Sequence, residues 1–478
     1  MKKLILVVFA FVLVLGSCDV SDLNENEKDP TDVPADPLFS NAQVAMSTFL
    51  HNTNVNLNIF KLISQQWTTT TYTAEPRYEL DSRGIPDNVW IEIYRDVLID
   101  LKEARLKIEA NEVLPAAVKA NKLGSIQVMR ALAYSSLVNI FGTVPYEEAL
   151  NPDNTQPTYT DGQTIYMDLL TRLDTAISNF DASADGFGSA DVFYNGDISK
   201  WIKFANSLKL RLAITIADVN PSVAQTAIEE AAPNAFTSNA DNALVPFQSS
   251  PPNTNPVWEA LVQSGRQDYL PAAPLVSRMN NLDDPRRPVF FTEDPDPTDS
   301  EQFSGGVYGQ TNDYINFSHF SALIKEKDRA GVILGYDEVE FILAEAAARG
   351  YNVSGTAATH YNAAIRADME YWGVPDAEIA AYLVQLDVAY TTAGSTFREK
   401  IGTQKWFALF MQGLQAWTEV RRLDEPDLQA PPLAPIDTYP KRFTYPADEQ
   451  IFNQANYSDG ASSMGGDMLT TPIFWDVN

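Results

Sequence analysis

The sequence predicts a mainly α fold with long irregular insertions. Three observations predict it. Apolar residues recur at helical spacing in several separate stretches. No run alternates apolar and polar residues as a half-buried strand would, and no strand–helix alternation appears. The helical stretches are separated by long segments rich in Pro, Gly, Asn and Asp.

Taken in chain order, the first element is a leader. Met1-Lys2-Lys3 precedes an apolar run from Leu4 to Leu15, which ends in Gly16-Ser17-Cys18. A basic start, a short apolar run and small residues before a cut site make a secretory signal, and the run is too short to span a bilayer. Cys18 is the only cysteine. Small residues ending on a Cys resemble the lipobox of bacterial lipoproteins, which implies cleavage before Cys18 and its acylation. The mature chain would then be anchored to a membrane without crossing it. The bland alternative is an ordinary secretory signal, which would leave an unpaired thiol in an exported protein.

Residues 18–38 read as a flexible tether. Asp19, Asp22, Glu25, Glu27, Asp29 and Asp32 lie among Asn, Pro and Ser, and such a stretch cannot bury enough apolar surface to fold alone. An acidic segment just after the acylated Cys also resembles the export signal that sends some lipoproteins to the outer face of the outer membrane. The division expected is therefore a leader at 1–17, a tether at 18–38 and a single domain at 39–478.

Within that domain, Ile126, Met129, Ala133, Leu137 and Ile140 follow i, i+3, i+4 spacing, as do Trp201, Ala205, Leu208 and Leu212. Val339, Ile342, Leu343, Ala346 and Ala347 form a third stretch, and Trp406, Leu409, Phe410, Gly413 and Trp417 a fourth. Shorter helical patterns lie near Tyr166–Phe180, Val223–Ala232 and Ala358–Tyr371. Paired as helix-turn-helix units, they suggest degenerate tetratricopeptide-like stacking. The segments 151–160, 237–256, 291–312 and 427–444 are the long loops. Val144-Pro145 and 443–446 look extended.

The chain has 478 residues, 45% hydrophobic, with 34 Lys plus Arg against 63 Asp plus Glu and a formal charge of -29. Loss of Lys2 and Lys3 with the leader would bring it to about -31. That sign argues against nucleic acid, whose affinity comes from cations neutralising phosphates, and against adsorption to anionic lipid. With one Cys there is no disulfide framework, so core packing must supply stability.

Several blocks, in this order, run almost the length of the chain: Met129-Arg130-Ala131-Leu132-Ala133-Tyr134 leading into Phe141-Gly142-Thr143-Val144-Pro145-Tyr146; 201–212; Asp284-Pro285-Arg286; 336–346; Gln404-Lys405-Trp406-Phe407 with 416–422; Arg442-Phe443-Thr444-Tyr445-Pro446; and Phe474-Trp475-Asp476. Together they resemble the SusD/RagB family of outer-membrane nutrient-binding lipoproteins. The resemblance implies an α-α superhelix of tetratricopeptide-like pairs with a loop-rich ligand-binding half. It also implies a partner, a SusC-like TonB-dependent β-barrel over which the lipoprotein acts as a lid, and a glycan or other nutrient as ligand.

Most of these blocks read as scaffold. Trp406 and Trp417 are expected as a buried aromatic pair on one face of a single helix, eleven residues or about three turns apart. Glu340 and Glu345 are expected in structural ion pairs, Arg421 and Arg422 at a helix end, and Asp284 and Arg286 as fixings for loops.

Glycan binding needs flat apolar platforms for the C–H faces of sugar rings, and side chains that hydrogen-bond hydroxyls. Two places offer both: residues 65–72 with Arg77 and Tyr78, and residues 253–269. The candidate ligand-binding residues are Trp67, Tyr72, Trp258, Arg266, Asp268 and Tyr269, with Tyr308 and Tyr314 a weaker third group. Each aromatic reads equally well as core packing. The acidic cluster Glu293, Asp294, Asp296, Asp299 and Glu301 lacks the ligand order of an EF-hand. It reads as a solvated loop, with structural calcium the minor alternative, and no cofactor is expected.

No enzyme motif is present: no G-x-S-x-G elbow, no H-E-x-x-H, no phosphate-binding or dinucleotide loop. His51, His319 and His360 stand in no recognisable acid–base or metal pattern. Binding without catalysis is expected. The alternatives are the same architecture serving peptides, and a glycoside hydrolase whose paired carboxylates would be a spatial feature.

Overall fold

Helix α1 (Ala35–His51) opens the folded chain, with Phe39, Ala42, Met46 and Phe49 buried along one side. It starts ahead of the predicted boundary, so residues 35–38 belong to a helix and not to the tether. The computed structural model describes residues 33–296 and 302–478. Cys18, the leader and most of the tether lie outside them, as do Asp299 and Glu301. Residues Ala35–Asn478 form one compact unit.

The remaining helices follow in chain order. They are α2 (Phe60–Ile63), α3 (Ile85–Ile91), α4 (Ile99–Ala110), α5 (Ala116–Phe141), α6 (Gly162–Asn179), α7 (Ile198–Thr215), α8 (Pro221–Ala231) and α9 (Pro256–Trp258). After them come α10 (Ala273–Asn281), α11 (Arg287–Phe290), α12 (Tyr336–Ala348), α13 (Ala357–Tyr371), α14 (Asp376–Tyr382), α15 (Phe397–Ala408), α16 (Gly413–Leu423), α17 (Ala447–Phe452) and α18 (Gln454–Ser463). A π-helical segment, Glu92–Leu98, joins α3 to α4. The helices pack as pairs: α5 on α6, α7 on α8, α12 on α13, α15 on α16, with α1 against α4. This is the mainly helical, tetratricopeptide-like arrangement expected.

Local signals place the helix starts. Asp161 accepts the amide of Thr164 at the start of α6, and Asp197 those of Ser199 and Lys200 at α7. Thr356 and Thr396 close capping boxes on α13 and α15. Each cap satisfies amides that a helix start leaves unpaired. Helix α5 is buried nearly all round from Ile126 to Phe141, because neighbours cover it on several sides.

Buried ion pairs tie the pairs together. Arg211 of α7 grips Glu338 of α12 at 2.7 Å and 2.5 Å. Arg422 of α16 holds Glu345 of α12 at 2.7 Å and 2.6 Å, and Glu419 at 2.7 Å. Lys405 of α15 adds a pair to Glu419 at 3.0 Å. Burial pushes the Glu419 carboxyl up, but Arg422 and Lys405 outweigh it and hold the group at about 2. Arg286, fully buried, reaches Asp284 at 2.9 Å and Asp368 of α13 at 2.6 Å. Glu340 pairs with His360 at 2.6 Å. Glu338, Glu345, Asp284 and their arginines are therefore structural, as expected, while Glu340 takes a histidine as partner where an Arg or Lys was expected.

One expectation is overturned. Trp406 and Trp417 are both fully buried, but they sit on two helices. The chain breaks at 409–412, where Met411 has φ +77°. The break brings Gly413 against α2 so closely that a Cβ there would lie 2.4 Å from the Lys61 amide nitrogen. Trp406 packs by Phe407 and Trp417 by Phe60 and Phe443.

Strands are few and short: β1 (Trp67–Thr69), β2 (Val144–Pro145), β3 (Tyr159–Thr160), β4 (Ala243–Val245), β5 (Tyr269–Pro271) and β6 (Gly331–Leu334). They form antiparallel pairs, β1 with β5, β2 with β3 and β4 with β6. Among the described residues no helix is long and apolar enough to cross a membrane.

Candidate ligand-binding cleft

The two candidate segments meet. Strand β1 pairs with β5 in the register Trp67↔Pro271, Thr68↔Leu270, Thr69↔Tyr269. The Thr70 amide continues the ladder to the Asp268 carbonyl at 2.9 Å, and the Thr70 hydroxyl reaches the Gln267 carbonyl at 2.7 Å. The Thr run thus takes the extended form that β-branched residues favour. It is held against the scaffold from behind: Gln66 donates to the Trp406 carbonyl at 2.7 Å, and Trp406 Nε1 to the Ser64 carbonyl at 2.9 Å.

A second wall comes from α9. Asn255 accepts the Val257 amide as its cap and donates to the Arg329 carbonyl at 2.8 Å. The helix runs into a π-turn at Glu259–Gln263, and the chain leaves through Gly265 at φ +67°, a conformation glycine adopts without strain. That exit delivers Arg266 beside Tyr72.

Between these walls and the Asn52–Val55 segment after α1 lies a cleft of about 540 Å³, a size usual for small-ligand sites. Tyr72, Arg266, Asp268 and Tyr269 line it. Tyr72 is 45% exposed. The guanidinium carbon of Arg83 lies 5.6 Å from its ring centre and that of Arg266 5.7 Å. Arg266 also pairs with Asp268 at 2.5 Å and donates to the Tyr72 hydroxyl at 3.3 Å. Asp268 and then Tyr72 raise the Arg266 pKa above its usual range. Arg83 is paired with the fully buried Glu75. Glu259 accepts from the Thr254 hydroxyl.

Tyr269 forms part of the floor. It is only 7% exposed, and its hydroxyl donates to the Thr53 carbonyl at 2.5 Å. Burial drives its pKa up. Its ring meets Trp67 edge-on at 5.6 Å.

Two candidates are corrected. Trp67 is 1% exposed and packs 4.2 Å from Phe320. It underlies the cleft and offers no face to a ligand. Trp258 is half-buried and does not line the cleft, whereas Pro256, Glu259 and Ala260 do. Residues three and four apart share a helix face, and position 258 falls off it. The weaker pair falls elsewhere too. Tyr308 is buried with its hydroxyl on the Leu62 carbonyl at 2.7 Å, and Tyr314 stacks on His319 at 3.8 Å. Among the described residues no group of three or more His, Cys or acidic side chains could hold a metal ion.

Asn52, Asn54, Arg83 and Glu259 line the cleft without having been singled out from sequence. The run His51-Asn52-Thr53-Asn54-Val55-Asn56 was the available signal: a polar, amide-rich stretch directly after an amphipathic helix.

A family model described as "Starch-binding associating with outer membrane", SusD-like, matches residues 27–446. The chain belongs to the SusD-like family. No curated protein matches the sequence. Among solved structures, a chitin-binding protein superposes on this SusD-like chain with a TM-score of 0.81 at 26% identity, covering 93% of this chain and all of the other. A SusD homologue from Bacteroides uniformis gives 0.78 at 25% identity, over 94% of this chain and all of the other. A chitin-binding SusD homologue from Flavobacterium johnsoniae shares the fold at 0.76 and 24% identity, over 92% and 98% of the two chains.

Proposed function

We propose that this SusD-like protein is a cell-surface lipoprotein that captures oligosaccharides and hands them to a SusC-like TonB-dependent transporter. Acylated Cys18 anchors it to the outer membrane, facing the cell exterior, and the acidic residues up to the start of α1 serve as its tether. The protein binds and does not catalyse, and it needs no cofactor. The observation that carries the reading is the cleft on the β1–β5 ladder, which an exposed Tyr72 ring shares with the side-chain amides of Asn52 and Asn54 and with the Arg266–Asp268 pair. A flat ring with convergent donors and acceptors suits a pyranose. Similarity to a chitin-binding protein over nearly the whole chain supports a glycan as ligand.

The test is native affinity electrophoresis of the detergent-solubilised full chain through gels containing single polysaccharides. Retardation by one glycan, weakened in Tyr72→Ala, is expected. No retardation by any glycan, with a peptide or another nutrient copurifying instead, would overturn the reading. A reducing-end assay on the retarding glycan should show no release of product.

A further inference from the structure

We propose that the cleft selects uncharged glycans and rejects uronate- or sulfate-bearing ones, an inference that rests on the glycan-binding reading above. The charged side chains lining the cleft are Arg83, Arg266, Asp268 and Glu259. Each arginine already has a carboxylate partner. Arg266 is engaged by both Asp268 oxygens, at 2.5 Å and 3.2 Å. Arg83 is engaged by Glu75, whose side chain is completely buried behind it, and donates to the Asn56 side chain at 3.3 Å. The same four charges, Glu75, Arg83, Arg266 and Asp268, act together on the Tyr269 hydroxyl in the floor.

With Glu259 added, three carboxylates face two guanidiniums, on a chain whose formal charge is -29. Lys327, whose carbonyl accepts the Asn255 amide, does not line the cleft. An anionic sugar would have to break a charge-assisted pair or sit beside an acid without a counter-ion. A neutral sugar can use the outer N–H groups and carboxylate lone pairs as they stand. The paired arginines then act as rigid hydrogen-bonding groups fixed against Tyr72, not as charge receptors.

The experiment measures affinity of the detergent-solubilised full chain for matched neutral and acidic polymers: soluble starch, arabinoxylan and chitin oligosaccharides against polygalacturonate and alginate. At least one neutral polymer should bind about tenfold more tightly than either polyuronate at low salt. Raising the salt from about 50 mM to about 500 mM should leave the neutral affinity within about twofold, since no net charge is neutralised on binding. Asp268→Asn frees Arg266 and should raise polyuronate affinity several-fold, with a new salt dependence. Polyuronate binding that equals or exceeds neutral binding would overturn the inference while leaving glycan capture standing. No binding to any polymer would overturn the underlying reading instead. Should Asp268→Asn not fold, the salt dependence of the wild-type chain decides the matter.

Discussion

Replacing Trp67 with Ala and, separately, Tyr72 with Ala should give opposite signatures. Trp67 is 1% exposed, lies 4.2 Å from Phe320 and 5.6 Å from Tyr269, and its indole nitrogen makes no hydrogen bond to another protein group. Its truncation therefore removes packing and the Lys61 ammonium's contact 5.9 Å over its ring, at about 3–5 kcal/mol. Unfolding entropy near 2.1 cal/mol/K per residue, over a compact unit of about 440 residues, amounts to roughly 0.9 kcal/mol/K, so the melting temperature should fall by about 3–5 °C. Tyr72 is 45% exposed and held by two arginines. Its truncation should cost about 0.5–1 kcal/mol of stability, a shift of about 1 °C, while glycan affinity falls by about 1–3 kcal/mol, or roughly five- to 150-fold. Differential scanning calorimetry and isothermal titration of the same preparations read both. A Trp67→Ala protein that melts like wild type but loses binding would refute the assignment of Trp67 to the support beneath the cleft. A Tyr72→Ala protein that binds normally would refute Tyr72 as the platform.

Three further outcomes are expected. Arg422→Met leaves Glu345 and Glu419 buried without their main partner and should cost about 3–5 kcal/mol in denaturant unfolding. The Glu419 carboxyl is held at about 2 against an ordinary 4.5, so its contribution is present above pH 4.5 and is lost as pH falls towards 2; the acid limb of the stability curve should lie there and shift in the variant. Burial and Lys61 lower His51 from 6.5 to about 4, so the unfolded chain takes up a proton first and stability declines as pH drops from 6.5 to 4; His51→Gln should flatten that window in pH-dependent melts. Gly413→Ala places a methyl 2.4 Å from the Lys61 amide nitrogen and should cost about 1–3 kcal/mol by forcing α2 and α16 apart, with a lowered denaturation midpoint as the readout.

Helix positions were legible in the sequence where the apolar period was strong, at α5, α6, α7, α8, α12 and α13, since period and caps are local properties. The break between α15 and α16 was not: the apolar spacing runs through residues 406–417 uninterrupted, and the reason to stop is the approach of α2 to Gly413, a contact across the fold. Helices α1, α3 and α4 passed unread, because α1 begins inside an acidic stretch and a π-helical segment shifts the helical phase between α3 and α4.

The same division holds for the site. Two of the segments that build the cleft were legible in sequence, since loops dense in Thr, Asn, Tyr and Trp are unusual in a helical chain, whereas Asn52–Val55 and Arg83 were not. Sequence also determined the charge, the mainly α class and the absence of enzyme motifs. Only the tertiary structure joined Thr70 to Gln267 across 197 residues of chain, and only packing decided which aromatic faces outward. Trp67 and Tyr72 are equally plausible platforms in sequence. The β1–β5 ladder pleats Trp67 under Tyr269 and leaves Tyr72 beyond its end, in reach of Arg266. Burial is a property of what surrounds a residue, and those neighbours come from elsewhere in the chain.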